Sequence, residues 1–316
     1  MSHKSGNVKR HLAIYGVGML LLSACGSSEE SASEDSCNVG FSIVNQQDIF
    51  FTQMVDGASE RAEEVGCDLS VVNADNDPEE QASDLNRLVT QQVDVIVVNA
   101  IDVDGSIPAL REARDQGIHV VAIDMNIGED NYDSFVGVDN GEAADEFAQF
   151  MIERGFDENT KYGIIGAQNS AIQNLRSDIF QETVDENGAE MVQAVNGENQ
   201  NEVAATAAEN LITAQSDLDY IYTTGTPATL GAVSALSGQG EDAPFIVGWD
   251  LTSEILDALD DGLVQAIVQQ DARQQGVESI DEAKSLSDGE SASGEILVPI
   301  TIVTDENVDD FREIYE

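Results

Sequence analysis

The sequence predicts an α/β fold of two doubly wound, Rossmann-like lobes, each with a central parallel sheet, joined by a hinge. Three observations carry this expectation. β-rich runs alternate with helical patterns from residue 38 onward, and the rhythm restarts near residue 140. Several of the runs, notably Val95-Ile96-Val97-Val98 and Val120-Val121-Ala122-Ile123, are apolar without alternation. Such strands are buried on both faces, as in a parallel sheet covered by helices. Repeated βα units with short connections wind into a doubly wound sheet, and so many strands exceed what one sheet usually holds.

In the first half, strands are expected at residues 38–44, 69–73, 94–99, 119–123 and 135–138. Helices are expected at 50–65, stopped by Gly66, and at 106–116, stopped by Gly117. Between them, Asp77-Pro78-Glu79-Glu80 opens a helix, with proline in the first turn and acids near the positive end of the dipole. In the second half, strands are expected at 162–165, 191–195, 220–223, 245–247 and 265–268. The helices between them fall at 140–154, 171–187, 202–214, 227–236 and 253–261.

The N-terminus has a different character. Lys4, Lys9 and Arg10 precede an apolar run over 12–22 that ends in Leu22-Ser23-Ala24-Cys25. A basic start, a short apolar stretch and small residues before a cut form a secretory signal peptide. The run is about half of the ~20 residues a membrane span requires. The cysteine at the cut resembles the bacterial lipobox, which implies a signal peptide over 1–24 and lipid on Cys25. Residues 25–37 then read as a lipidated cysteine and a polar, flexible tether.

Charge narrows the partners. The chain has 61 Asp and Glu against 13 Lys and Arg, a formal net charge of −48, and three of those cations lie in the leader. Such a surface repels nucleic acid and anionic lipid. With lysine confined to positions 4, 9, 161 and 284, the acidity fits either a surface that keeps the protein dispersed or, more sharply, an exported protein adapted to external salt. The three histidines are His3, His11 and His119, so no Ser-His-Asp arrangement and no zinc-type His/Cys spacing is present. No metal and no cofactor is expected.

Ligands of open α/β sheets bind beyond the carboxyl ends of the strands. At those ends stand Gln47, Asp48, Phe50 and Phe51, then Asn99 and Asp124, then residues 168–174, 223–226, Asp250 and Gln269. Each hydroxyl of a neutral polyhydroxyl ligand donates to a carboxylate and accepts from an amide, while its C–H face packs on a ring.

The residues Phe50-Phe51-Thr52-Gln53-Met54-Val55-Asp56-Gly57-Ala58 resemble the first helix of ribose-type periplasmic sugar-binding proteins of ABC transporters. Val97-Val98-Asn99-Ala100 with Asp102, Ala122-Ile123-Asp124, Val138-Asp139-Asn140, Ile246-Val247-Gly248-Trp249-Asp250 and Ala266-Ile267-Val268-Gln269 resemble further segments of that family, in order, over 38–303. The resemblance implies the type I periplasmic binding fold and no enzymatic activity. It implies an N-terminal lobe of residues 38–138 plus 270–298 and a C-terminal lobe of 139–269 plus 299–316. It assigns ligand contacts to Asp48, Phe50, Phe51, Asn99, Asp124, Asn174, Asp250 and Gln269. Met125 and Asn174 stand where the family's ribose binders have arginine, so ribose itself is not implied. No arginine falls on an expected contact position, which disfavours phosphorylated or acidic ligands.

Cys37 and Cys67 immediately precede the first two strands, which are parallel neighbours in this fold. Their sulfurs are therefore expected at one end of the sheet, close enough for a disulfide. The functional expectation is a monomeric, lipid-anchored solute-binding protein in the periplasm or on the outer cell surface. It would deliver a neutral monosaccharide or polyol to an ABC permease and its ATPase. A sensory receptor of the same fold, feeding a membrane kinase or chemoreceptor, is the alternative.

Overall fold

The computed structural model describes residues 37–240 and 243–315. The expected leader, the lipidation at Cys25 and most of the tether lie outside the described residues. In the first half the elements are β1 (Cys37–Ile43), α1 (Ile49–Val65), β2 (Cys67–Asn73), α2 (Pro78–Gln91), β3 (Val95–Val98), α3 (Val103–Asp115), β4 (His119–Ile123) and β5 (Ser134–Gly137). Next come α4 (Asn140–Glu153), β6 (Lys161–Gly166), α5 (Ala171–Glu186), β7 (Glu190–Asn196), α6 (Asn201–Ala214), β8 (Tyr220–Thr223), α7 (Thr226–Leu236) and β9 (Phe245–Trp249). The chain continues through α8 (Ser253–Asp260), β10 (Val264–Gln270), α9 (Ala272–Ser287), β11 (Glu295–Leu297), β12 (Ile300–Val303) and α10 (Arg312–Tyr315).

Two six-stranded sheets result. The first runs β11-β5-β4-β3-β1-β2 and is parallel throughout. The second runs β12-β10-β9-β8-β6-β7, with β12 alone antiparallel. The chain passes from one sheet to the other after β5, after β10 and after β11. In the first sheet, Val95, Val97, Val121 and Ile123 pack on one face while Ile96, Val98, Val120 and Ala122 pack on the other. All eight are fully buried, which accounts for the unalternating apolar runs.

Local chemistry sets the element ends. Asp77 caps α2 by accepting from the backbone of Glu79 (2.8 Å) and Glu80 (3.2 Å), with Pro78 leading the helix. Gly66 ends α1 in the left-handed region at φ 77°, a conformation that costs glycine little. Helix α3 starts at Val103, three residues before the start expected from the sequence. Asp102 accepts from Gly105 N at 3.1 Å and supplies the cap, leaving Pro108 inside the helix.

Elements α9, β11, β12 and α10 lie beyond the last strand expected from the sequence. Helix α9 is capped by Asp271, whose carboxylate accepts from Gln274 N at 2.9 Å. It lies close against α1: a Cβ at Gly276 would stand 2.0 Å from Met54 O, and one at Gly57 would stand 2.2 Å from Arg273 O. Cys37 and Cys67 face each other in the β1–β2 register, Cα atoms 4.6 Å apart, and are joined by a disulfide. Among the described residues, no helix is long and apolar enough to cross a membrane.

Candidate functional site

The carboxyl ends of strands from both sheets open onto a shared cleft of about 810 Å³. Its lining includes Asp48, Phe50, Phe51 and Asp124 from the first lobe. From the second it includes Gln173, Arg176, Asn199, Thr226, Asp250 and Gln269, and Gln270 joins them where β10 crosses back to the first lobe. Ile314 and Tyr315 of α10 complete one edge.

Asp48 caps α1, accepting from Phe50 N at 2.9 Å, and is itself held by Asn45 Oδ1, which accepts from Asp48 N at 2.8 Å. This turn starts the helix so that Phe50 and Phe51 enter the cleft. Their rings meet edge to face, centroids 5.4 Å apart, and together form an apolar wall.

Asp124 follows β4 and Asp250 follows β9, and both take the left-handed backbone, at φ 63° and φ 62°. The backbone N–H of Asp124 donates to Val136 O (2.8 Å), and that of Asp250 to Val268 O (2.9 Å). The two lobes therefore present a carboxylate in the same local manner. Aspartate tolerates this region better than most residues, and such strained conformations concentrate at functional sites.

Each carboxylate has built-in donors. Asn99 Nδ2 donates to Asp124 Oδ2 at 2.9 Å. Gln270 Nε2 donates to Asp250 Oδ1 at 2.9 Å and Thr226 Oγ1 to Oδ2 at 3.3 Å. Burial pushes both carboxyls above the usual range; the Asn99 bond and Arg176 oppose this at Asp124, and Arg176, Gln270 and Thr226 oppose it at Asp250. The mutual repulsion of the two aspartates adds to the rise at Asp124, as does Asp48 at Asp250.

Arg176, which was not among the expected contact positions, also lines the cleft. Its guanidinium lies 3.6 Å over the Trp249 ring, Nε donates to Asn140 Oδ1 (2.8 Å), and Nη1 donates to Thr224 O (3.2 Å). Trp249 is fully buried and donates from Nε1 to Tyr222 Oη at 2.9 Å. Burial lowers the pKa of Arg176, while Asp250, Tyr222 and Asp124 act to raise it. The arginine is thus a fixed counter-charge near the two aspartates, held by neutral acceptors and a ring.

The remaining expected residues fall into two groups. Gln269 lines the cleft, but its Oε1 accepts from Leu251 N (2.8 Å) and its Nε2 donates to Gln270 O (2.6 Å). Asn99 is buried behind Asp124, and Asn174 turns away from the cavity to donate from Nδ2 to Gln168 O at 3.2 Å. The same helix instead sends Gln173 inward, where Nε2 donates to Asn199 Oδ1 (2.7 Å) and Oε1 accepts from Thr224 (2.8 Å). Gln173 and Thr226 fall within the strand-end stretches 168–174 and 223–226 but were not named as contacts, and Arg176, Asn199, Gln270 and Tyr315 lay outside both the stretches and the named contacts. A helical phase fixed from the Ser170 cap would have identified Gln173 and Arg176.

Two doubly wound lobes with a polar cleft between their strand ends, and rings on one wall, define the bilobal solute-binding class. The chain belongs to the periplasmic binding protein domain family, which matches residues 39–291. It is 25% identical to the ribose import binding protein of Bacillus subtilis, over 92% of this chain and 97% of that one. A periplasmic ribose ABC transporter structure from Conexibacter woesei is 25% identical, with a TM-score of 0.80 over 89% of this chain and 97% of that chain. A solute-binding protein of Bacillus halodurans with bound myo-inositol is 25% identical, with a TM-score of 0.75 over 90% and 100%. These relatives are solute-binding transport proteins rather than enzymes, and the fold is the type I periplasmic binding fold.

Proposed function

We propose that this protein captures a neutral monosaccharide or cyclic polyol outside the cytoplasmic membrane and hands it to an ABC permease and its ATPase. The observation that carries the reading is the convergence of Asp124, Asp250 and the Phe50–Phe51 ring pair on one cleft. Carboxylates accept from ligand hydroxyls, amides at Gln173, Asn199 and Gln270 offer mixed partners, and the rings cover C–H faces. A cleft of about 810 Å³ lies within the range of small-molecule sites and leaves room for closure around one sugar ring. The lobes that close are residues 38–138 plus 270–298 against 139–269 plus 299–316, and Cys25 carries the lipid that holds a monomer at the membrane.

Relatives whose names specify ribose, and one structure holding myo-inositol, support a polyhydroxyl ligand without choosing between them. Arg176 is occupied by Asn140, Thr224 and Trp249, and three aspartates line the cleft, so a phosphate or sugar acid meets net repulsion. A thermal-shift screen of pentoses, hexoses, cyclic polyols and their phosphates tests this, because a ligand that binds only the folded state raises Tm. A neutral member is expected to stabilise the protein, and Asp250→Ala is expected to lose about 2–4 kcal/mol of its binding, from charge-assisted bonds of about 1.5–3 kcal/mol each. Binding confined to phosphorylated sugars, or full affinity in Asp250→Ala, would defeat the proposal.

A further inference from the structure

One oxygen of Asp124 is left for a ligand, and its direction is set from outside the cleft. Oδ2 accepts from Asn99 Nδ2 at 2.9 Å, while Oδ1 has no hydrogen-bond partner among the described residues. Asn99 Nδ2 also donates to Ile123 O at 3.3 Å, so both amide hydrogens are committed to the strand end that carries Asp124. Whatever holds Asn99 therefore aims the carboxylate.

Asn99 opens the turn that leaves β3, and its backbone N–H donates to Ser42 O on β1 at 3.0 Å. The rest of the turn is gripped by one side chain from the helix layer. Gln81 of α2 accepts from Ile101 N at Oε1 (2.8 Å) and donates from Nε2 to Asn99 O (2.8 Å) and Ser42 Oγ (3.3 Å). It is 1% exposed and does not line the cleft. Leu85 and Leu88 of the same helix belong to the apolar core, so burial alone would be met by an apolar residue at 81. Without the amide, Asn99 O and Ile101 N lose these partners inside the protein, a costly arrangement that the turn relieves by moving.

We infer that Gln81 is the positioning residue of the first lobe's carboxylate: it locks residues 99–101, which hold Asn99 on Asp124, which then offers Oδ1 to the ligand in one direction. Gln81 touches no ligand and acts through Asn99. The consequence for affinity rests on the sugar-binding reading; the positioning itself does not. Burial is the main influence raising the pKa of Asp124 and Asp250 adds to it, while the Asn99 bond and Arg176 oppose the rise. A loosened turn weakens one of those two restraints, and Asp124 then protonates at higher pH.

Carboxyl-carbon NMR of the ligand-free protein reads this, the Asp124 signal being the one lost in Asp124→Asn. In Gln81→Met its titration midpoint is expected to move upward, as in Asn99→Ala, and the double variant should move no further than Asn99→Ala alone. Gln81→Asn keeps a buried amide too short to span both partners, and it moves the midpoint the same way should Gln81→Met not fold. An unmoved midpoint in a folded variant at position 81, or a shift that adds to that of Asn99→Ala, would overturn the inference. With the neutral ligand found in the screen, Gln81→Met is expected to bind about fivefold more weakly, the loss of one ordinary hydrogen bond. In an Asp124→Ala background the same substitution should change nothing further. An equal loss in both backgrounds marks a merely structural role and also overturns the inference. If no sugar binds the wild type, the proposed function fails, and the titration alone decides the role of Gln81.

Discussion

Asp124 and Asp250 are acceptors whose usefulness depends on remaining ionised while partly withdrawn from water. Burial raises both pKa values above the ordinary carboxylate range, with Asn99, Gln270, Thr226 and Arg176 limiting the rise. The sign of the pH dependence follows. A ligand held by the charged forms binds fully above the raised pKa values, and its affinity falls as pH drops through them. This loss begins above the ~3.9 at which a solvent-exposed aspartate protonates. For stability of the ligand-free protein the same groups act in reverse: their contribution is full below the unfolded pKa and is lost as pH rises through the folded one. Calorimetry of the neutral ligand between pH 7 and pH 4 is therefore expected to show weakening that starts above the ordinary aspartate range. The same titration of Asp124→Asn should be flatter. An affinity constant down to pH 4 would mean that these carboxylates do not contact the ligand. Strand-end position revealed both aspartates in the sequence, because a residue that ends an apolar run has one place to go. Helix α5 was harder. Successive side chains there point about 100° apart, so Asn174 and Gln173 face different surroundings, and a family position one residue off chooses the wrong one.

At the scale of elements, the strands were legible because burial on both faces leaves only apolar residues, and several helix ends because Gly66, Gly117 and Gly188 adopt positive φ. The α9, β11 and β12 segments were not read as elements, since their character depends on partners. Helix α9 is shaped by contact with α1 across Gly57 and Gly276, and β11 and β12 are three and four residues long. Tyr315 could not be foreseen at all, as nothing local to residues 308–315 says that the segment folds back to the cleft. The β1–β2 pair offers an element-level test. The disulfide closes a separation of 30 residues, for which the chain-entropy account gives about 3–4 kcal/mol. Because both cysteines sit at the start of their strands, away from the ends that form the cleft, reduction is expected to lower Tm and leave ligand affinity close to native. Thermal unfolding scans of the oxidised and reduced protein measure the first, and titration calorimetry in each state the second. Equal midpoints would show that the bond adds nothing to the folded state.

The whole molecule carries a formal net charge of −48, with 61 acidic side chains and few cations to answer them. Cations that are present engage local partners: Lys161 with Asp217, Arg61 with Asp281 and Glu64, and Arg312 with Asp260 and Asp309. These pairs are largely surface contacts and contribute little each. Most carboxylates are left to repel one another across both lobes, which opposes the compact state. Salt removes that opposition: the Debye length falls from about 10 Å at 0.1 M to about 3 Å at 1 M, shorter than most spacings between like charges on a surface. Calorimetric scans are expected to show Tm rising by several degrees between 0.1 and 1 M NaCl, the effect of a stabilisation of about 1–2 kcal/mol on a chain of this size. Affinity for a neutral sugar should change far less over the same range, since its contacts are short hydrogen bonds and ring faces rather than long-range attraction. A Tm that stays level or falls with salt would show that the acidic surface is already balanced in the fold. An affinity that drops with salt as steeply as that of a charged ligand would place a cation in the cleft's true substrate.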